Sequence, residues 1–299
     1  MRGRDHDPVS FLRKPNNAMS DIQSDVLQEW RESAPYWQQH AATIRRMFAP
    51  VTDALVHDAR IVEGHSVLDV AGGPGEPSLT IAQIVATRGT VVFTDAVEEM
   101  MSAAKDQARV RGITNIEFRQ CTADSLPFAD DTFDAAVSRL GVMFFPDVGA
   151  GLREMLRVVK PDGRAAFAVW GKSDLNPFSY LVTNVMTRHV TSVPEEPDAP
   201  GAFRFAEPGK LASILIDAGA IDVRERILNF HIQAPISVKQ FWELRSQTSG
   251  TLREKLAALS EEEARQVQRE IEEAVAEFFP KDQMNFPAQM IIVTGTKRD

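Results

Sequence analysis

Three acidic residues and one glycine-rich turn carry the chemistry that can be read from this chain. In Val67-Leu68-Asp69-Val70-Ala71-Gly72-Gly73-Pro74-Gly75, a β-rich run ends on an acid and passes directly into glycines before a helical stretch. Glycine tolerates positive φ and lets backbone approach a ligand closely. Dinucleotide sites use the same device to seat a pyrophosphate on a helix N-terminus. Asp69 would repel such a group, and Glu76, Pro77 and Ser78 follow where the dinucleotide fingerprint needs a third small residue. The turn better suits a nucleoside whose tail carries an ammonium and a sulfonium. Asp95 ends the next β-rich run, where its two oxygens can accept both hydroxyls of a ribose. Asp124, in Cys121-Thr122-Ala123-Asp124, follows a third run, placed to accept from an adenine amino group while the amide of Ala123 reaches a ring nitrogen. Singly, each acid could be a cap or turn residue. Together they end three successive strands on one sheet edge, where open α/β sheets bind ligands.

An α/β rhythm must position these groups. β-rich runs at Ser66–Val70, Thr90–Thr94, Asn115–Arg119, Asp134–Ser138 and Arg164–Trp170 alternate with segments long enough for crossover helices. The helix around Leu152–Val159 stops at the turn signal Lys160-Pro161-Asp162-Gly163. This succession predicts a doubly wound sheet with helices on both faces. A proline-rich loop (Pro194, Pro197, Pro200) around a short helix, a helix near Gly209–Ala218, a sixth strand at Asp222–Asn229 and a seventh at Met290–Gly295 follow. Between the last two strands, Ser260 and Glu263 form a capping-box signature, and Val267, Ile271, Val275 and Phe278 share a helical face. This insert, residues 230–285, is expected to join N-terminal helices at 21–50 as a cap over the ligand edge. The sheet domain is assigned to 51–229 and 286–299, and polar residues 1–20 read as a mobile tail. Ser33 and Pro35 mark a helix entry, after which Trp37, His40, Ala41, Ile44 and Phe48 form an apolar face.

Asp69–Gly75 resembles the first motif of the class I S-adenosylmethionine-dependent methyltransferases, with Ala71 and Gly72 where glycine and a variable residue are more usual. Asp95 resembles their ribose-binding acid and Ala123-Asp124 their adenine-contacting pair; Phe133–Ser138 and Leu156–Gly163 are similar to their fourth strand and the turn before the fifth. The resemblance covers residues 50–170, within the group similar to ubiquinone/menaquinone-biosynthesis methyltransferases. It implies a Rossmann-like seven-stranded sheet, order 3-2-1-4-5-7-6 with the last strand antiparallel, and S-adenosyl-L-methionine as cofactor. The cofactor-binding set is then Asp69, Ala71, Gly73, Gly75, Asp95, Ala96, Ala123, Asp124 and Ser138. Arg139–Pro146 and the larger insert depart from the quinone enzymes, so the cofactor carries over and the quinone does not. The asparagine/aspartate-proline-proline-aromatic motif of adenine or glutamine methylation is missing after the fourth strand.

Methyl transfer from a sulfonium is an in-line displacement that chiefly needs positioning and exclusion of water. A base helps only if the acceptor carries a proton at working pH. His40, beside Tyr36 and Trp37, is the candidate base, against the alternative of a packed histidine; His231 is a second. Tyr36, Trp37, Met143, Phe144 and Trp170 are the candidate substrate-pocket residues, each also readable as core. The 299 residues are 43% hydrophobic and 25% charged, enough for a full core. A net charge of −9 opposes nucleic acid binding, and the single cysteine precludes an intramolecular disulfide or a Cys-rich metal site; no metal is expected. No signal-type leader or membrane-length apolar run is present, so a cytoplasmic protein acting on an apolar or aromatic small molecule is expected. An NAD-dependent oxidoreductase and a non-catalytic cofactor-binding module are the alternatives.

Overall fold

The computed structural model describes residues 15–190 and 198–299. Seven strands form one sheet in the order β3-β2-β1-β4-β5-β7-β6. They are β1 (Ser66–Val70), β2 (Thr90–Asp95), β3 (Ile116–Gln120), β4 (Phe133–Arg139), β5 (Val159–Trp170), β6 (Ile221–Ala234) and β7 (Met284–Thr296). The first five pair in parallel, and β7 runs antiparallel to both β5 and β6. The expected order and the reversed last strand are both present. Successive side chains in a strand point to opposite faces. Residues 67–70 of β1 and 165–170 of β5 are nonetheless buried without interruption, so both faces of the central strands are covered. The edge strands β3 and β6 are largely half-buried or exposed instead.

The helices are α1 (Pro15–Gln39), α2 (Ala41–Met47), α3 (Ala49–Asp58), α4 (Ser78–Val85), α5 (Glu98–Val110), α6 (Val148–Val158), α7 (Pro177–His189), α8 (Lys210–Asp217), α9 (Val238–Thr248), α10 (Gly250–Ala257) and α11 (Glu261–Val275). Among them α3 to α6 and α8 pack along the sheet. In α6 the carboxylate of Asp147 accepts from the Ala150 amide at 2.8 Å, and Val148, Leu152, Met155 and Leu156 turn into the core. The Ser260–Glu263 capping box opens α11, which buries Val267, Ile271 and Val275. β6 and β7 extend past the expected limits, so the helical insert is confined to residues 235–283 and His231 lies within β6.

Three expectations need correction. No helix begins at Ser33–Pro35, because α1 runs through Pro35; burial of Ala34 and packing of Leu27, Trp30 and Trp37 against Val97 and Met100 hold it together. The helical face from Trp37 to Phe48 is divided, since α1 ends at Gln39 and α2 starts at Ala41. Lys160–Gly163 does not precede β5 but bulges from it: Phe133 pairs with Val159 while Ala135 pairs with Arg164. Asp162 takes φ +63° there. Of the expected tail, residues 1–14 lie outside the described residues and 15–20 are helical in α1; Pro194 and Pro197 also lie outside.

Candidate active site

Backbone contacts just past β1 and β2 set the glycine turn. The Thr94 hydroxyl donates to the Asp69 carbonyl at 3.0 Å and the Gly72 amide to the Thr94 carbonyl at 3.0 Å, prolonging the β1–β2 ladder. Ala71 and Gly73 both take positive φ, +59° and +57°. Such a conformation is easy for glycine and strained for alanine. Asp69 is wholly buried beneath the turn. Its Oδ2 accepts from the Ser78 hydroxyl at 2.6 Å and the Ser78 amide at 3.1 Å, so the acid caps α4 from the neighbouring strand. Its Oδ1 has no partner, and burial pushes the carboxyl up to about 7 against the pull of Ser78 and Arg139.

Asp95 ties the turn to β2. Its Oδ2 accepts from the Gly73 amide and its Oδ1 from the Val97 amide, both at 2.9 Å. Burial raises its carboxyl to about 6 against these backbone donors. The Ala96 amide also faces this carboxylate, so three of its four acceptor sites are taken by backbone and one is left for a ligand hydroxyl.

These elements border a cavity at the sheet edge reached by β1, β2 and β4. Ala71, Gly73, Asp95, Ala96, Ala123 and Asp124 line it as expected, together with Trp37 and Phe144. Helix α1 roofs it with Leu27, Trp30 and Trp37. The Trp30 ring meets Trp37 at 5.7 Å and Phe144 at 5.1 Å, both edge-on. The Trp37 indole donates to the Thr248 carbonyl at 3.0 Å, tying the roof to α9.

Six residues expected at the site stand off the cavity. Asp69 and Ser138 are wholly buried below its floor, and Gly75 packs the turn so closely onto α4 that a Cβ there would lie 2.7 Å from Leu79 Cδ1. Met143 is fully buried core, and Trp170 stands behind Phe48 and Phe203 at 5.8 and 6.2 Å. Tyr36 lies under the Arg253 guanidinium on the outer side of α1. The base candidates are engaged elsewhere as well: His40 Nε2 meets Gln247 Oε1 at 2.7 Å and His231 Nδ1 meets Asn285 Oδ1 at 2.8 Å.

Among the lining residues not picked out from the sequence are Trp30, Glu76, Cys121 and Arg139. Trp30 is seven residues before Trp37, the same face two turns earlier, and that spacing could have disclosed it. Glu76 is paired with Arg111 at 2.5 Å. Cys121 lines the cavity with a thiol pushed up to about 11 by burial, so it is neutral at pH 7. Arg139, the last residue of β4, has a guanidinium lowered from its usual value by burial, against the fields of Glu76 and Asp69. No cluster of metal-ligating side chains occurs among the described residues, and no described helix is long and apolar enough to cross a membrane.

Residues 45–186 match the model of the ubiE/COQ5 methyltransferase family. Over that segment the chain is similar to these methyltransferases. The ubiE/COQ5-like segment spans β1 to β5 and the cavity floor. Curated relatives agree with it. The ubiquinone/menaquinone biosynthesis C-methyltransferase UbiE of Haemophilus ducreyi is 38% identical over 120 residues, 40% of this chain and 46% of that protein. An uncharacterized protein of Mycobacterium tuberculosis, Rv1405c, is 38% identical over 131 residues, 44% of this chain and 46% of its own length. The matched region therefore spans just under half the length of these relatives. In fold, the YcgJ protein of Bacillus subtilis aligns with a TM-score of 0.53 at 22% identity, covering 83% of this chain and 98% of that one. Helix α1 up to its roof residues and the insert α9–α11 lie outside the ubiE/COQ5-like segment.

Proposed function

We propose that the protein binds S-adenosyl-L-methionine at this cavity and transfers its methyl group to a small, largely apolar molecule. The observation that carries the reading is the convergence of the glycine turn, Asp95-Ala96 and Ala123-Asp124 on one cavity roofed by aromatic rings. The donor set fits the cofactor. Asp95 keeps an acceptor site for the ribose, Asp124 is exposed at the rim for the adenine amino group, and no side chain intrudes at Gly73, where a Cβ would meet open space. Among the charged residues of a mostly apolar lining, Glu76, Asp95, Asp124 and Asp147 outnumber the single Arg139, which opposes a pyrophosphate.

Bound there, the cofactor supplies an electrophilic methyl group on a sulfonium. The chain's own contribution is placement: Asp95 and the turn hold the nucleoside, while Trp30, Trp37 and Phe144 exclude water and confine the acceptor. Asp69 acts through the turn, by fixing the start of α4, and not on the ligand. With His40 and His231 engaged elsewhere, the geometry favours an acceptor that needs no histidine base.

Calorimetric titration of the purified protein with S-adenosylhomocysteine and with NAD tests this reading. Micromolar or tighter binding of the former without the latter is expected. NAD binding in place of S-adenosylhomocysteine would return the oxidoreductase. Binding of S-adenosylhomocysteine with no turnover across a broad acceptor panel would favour the non-catalytic module.

A further inference from the structure

Arg139 is the one cation among the described residues that line the cavity, and the proposed cofactor contacts leave it unused. It closes β4, one strand beyond the glycine turn, and faces the wall formed by α3 and the α2–α3 junction. Its Nη1 donates to the Thr52 hydroxyl at 3.0 Å, and its guanidinium lies 5.9 Å from the centre of the Phe48 ring. Thr52 is a neutral acceptor and leaves the positive charge intact. Neither of the two carboxylates whose fields reach Arg139 forms an ion pair with it: Glu76 is paired with Arg111, and Asp69 accepts from Ser78 through Oδ2 while its Oδ1 has no partner. Its Nε is buried and has no hydrogen-bond partner. A buried charged donor left unpaired is costly, and charged groups sunk in an apolar wall are ordinarily matched by a counter-charge.

Nη1 is taken by Thr52 and Nε is enclosed, which leaves Nη2 without a hydrogen bond as the charged donor available to a carboxylate oxygen. Ile44 and Phe48 beside it are apolar. A dianion such as a phosphate monoester would face Glu76, Asp95, Asp124 and Asp147 with a single arginine to balance it; a monoanion would be matched one to one. We propose that Arg139 is a specificity-determining residue that anchors a carboxylate on an apolar or aromatic methyl acceptor, turning the acceptor's reactive atom toward the glycine turn. This rests on the placement of the cofactor proposed above.

The test uses the full-length protein saturated with S-adenosylhomocysteine. Calorimetry would compare 2-naphthoate with its neutral counterpart 2-naphthamide, and benzoate with benzamide. Wild type should bind at least one carboxylate about tenfold more tightly than its amide, as one charge-assisted pair supplies. Arg139→Met should reduce that preference to less than about threefold while holding S-adenosylhomocysteine within about threefold of wild type. Arg139→Lys, which keeps the charge on a shorter side chain without the planar guanidinium, should fall between the two and serves if the methionine variant does not fold. Equal binding of acid and amide by wild type, or binding of neither pair, would overturn the proposal. So would an Arg139→Met protein that loses affinity for S-adenosylhomocysteine but not for 5′-methylthioadenosine, since Arg139 would then be holding the cofactor's carboxylate. Failure of wild type to bind S-adenosylhomocysteine would instead strike the function proposed above.

Discussion

Asp69 and Asp95 differ in depth by one strand and in role by much more. The Asp69 carboxyl is raised to about 7 in the folded protein, above the roughly 3.9 of an unfolded aspartate. The folded state therefore binds a proton more readily. The stability this confers is complete below about pH 4 and is lost as pH rises toward 7. Between those limits the group should cost about 1.4 kcal/mol per pH unit at most. Asp69→Asn keeps an acceptor for Ser78 and cannot ionise. Its melting temperature relative to wild type should therefore rise between pH 5 and pH 7.5, and a flat difference would show that Asp69 does not titrate in this window. For Asp95, Asp95→Ala removes the acceptor for Gly73 and Val97 as well as the proposed ribose contact. Its affinity for S-adenosylhomocysteine should drop by about tenfold or more by calorimetry, as expected for lost hydrogen bonds to a carboxylate. Residue types at the strand ends were legible in the sequence because an acid before glycines is rare in a buried strand. Their depth was not. Nothing local in Leu68-Asp69-Val70 tells that Ser78, nine residues on, satisfies the carboxylate from below.

Elements meet at the site through glycines with little room to spare. A Cβ on Gly72 would lie 2.6 Å from Cδ2 of the fully buried Phe93 ring, and one on Gly141 2.7 Å from the Ala71 Cβ. Gly141→Ala would drive the segment after β4 away from the turn after β1. We expect a loss of about 1–3 kcal/mol in stability, as for overpacked cores, and weaker S-adenosylhomocysteine binding than the stability loss alone explains. Denaturant melts and calorimetry on the same preparation would separate the two. In α11, Ser260→Ala should cost about 1 kcal/mol by the same melts, through loss of its cap. Strand positions were readable because parallel strands buried on both faces are nearly unbroken apolar runs. Two helical boundaries were not. Pro35 reads locally as an entry, yet packing of Trp30 and Trp37 carries the helix through it. Lys160-Pro161-Asp162-Gly163 reads as a complete turn, yet flanking pairs with β4 continue on either side.

At the scale of the molecule, the cavity is closed by parts from opposite ends of the chain. Trp30 and Trp37 of α1 form the roof, and α9 holds it through the Trp37–Thr248 hydrogen bond. Trp30→Ala should open the roof. Release of S-adenosylhomocysteine, followed by stopped-flow displacement, should quicken by about tenfold, the worth of an aromatic contact of 1.5 kcal/mol or so, with a smaller effect on melting temperature. Unchanged release would mean that the tryptophans do not gate the site. The core of the fold was legible because its motifs are local. The roof was only partly so, because its closure depends on contacts more than 200 residues apart, such as that between Trp37 and Thr248. The placement of β7 has a related effect on the order of assembly. Of the seven strands of this sheet it is the last to be synthesised, yet it lies inside the sheet, paired on one side from Arg164 to Trp170 and on the other from Ile221 to Ala234. Until Met284–Thr296 emerges, β6 has no neighbour and β5 is an unprotected edge. From the completion of β6 until β7 arrives the nascent protein therefore carries both strands unpaired along these borders, when pairing with another chain is the hazard that chaperones have to prevent.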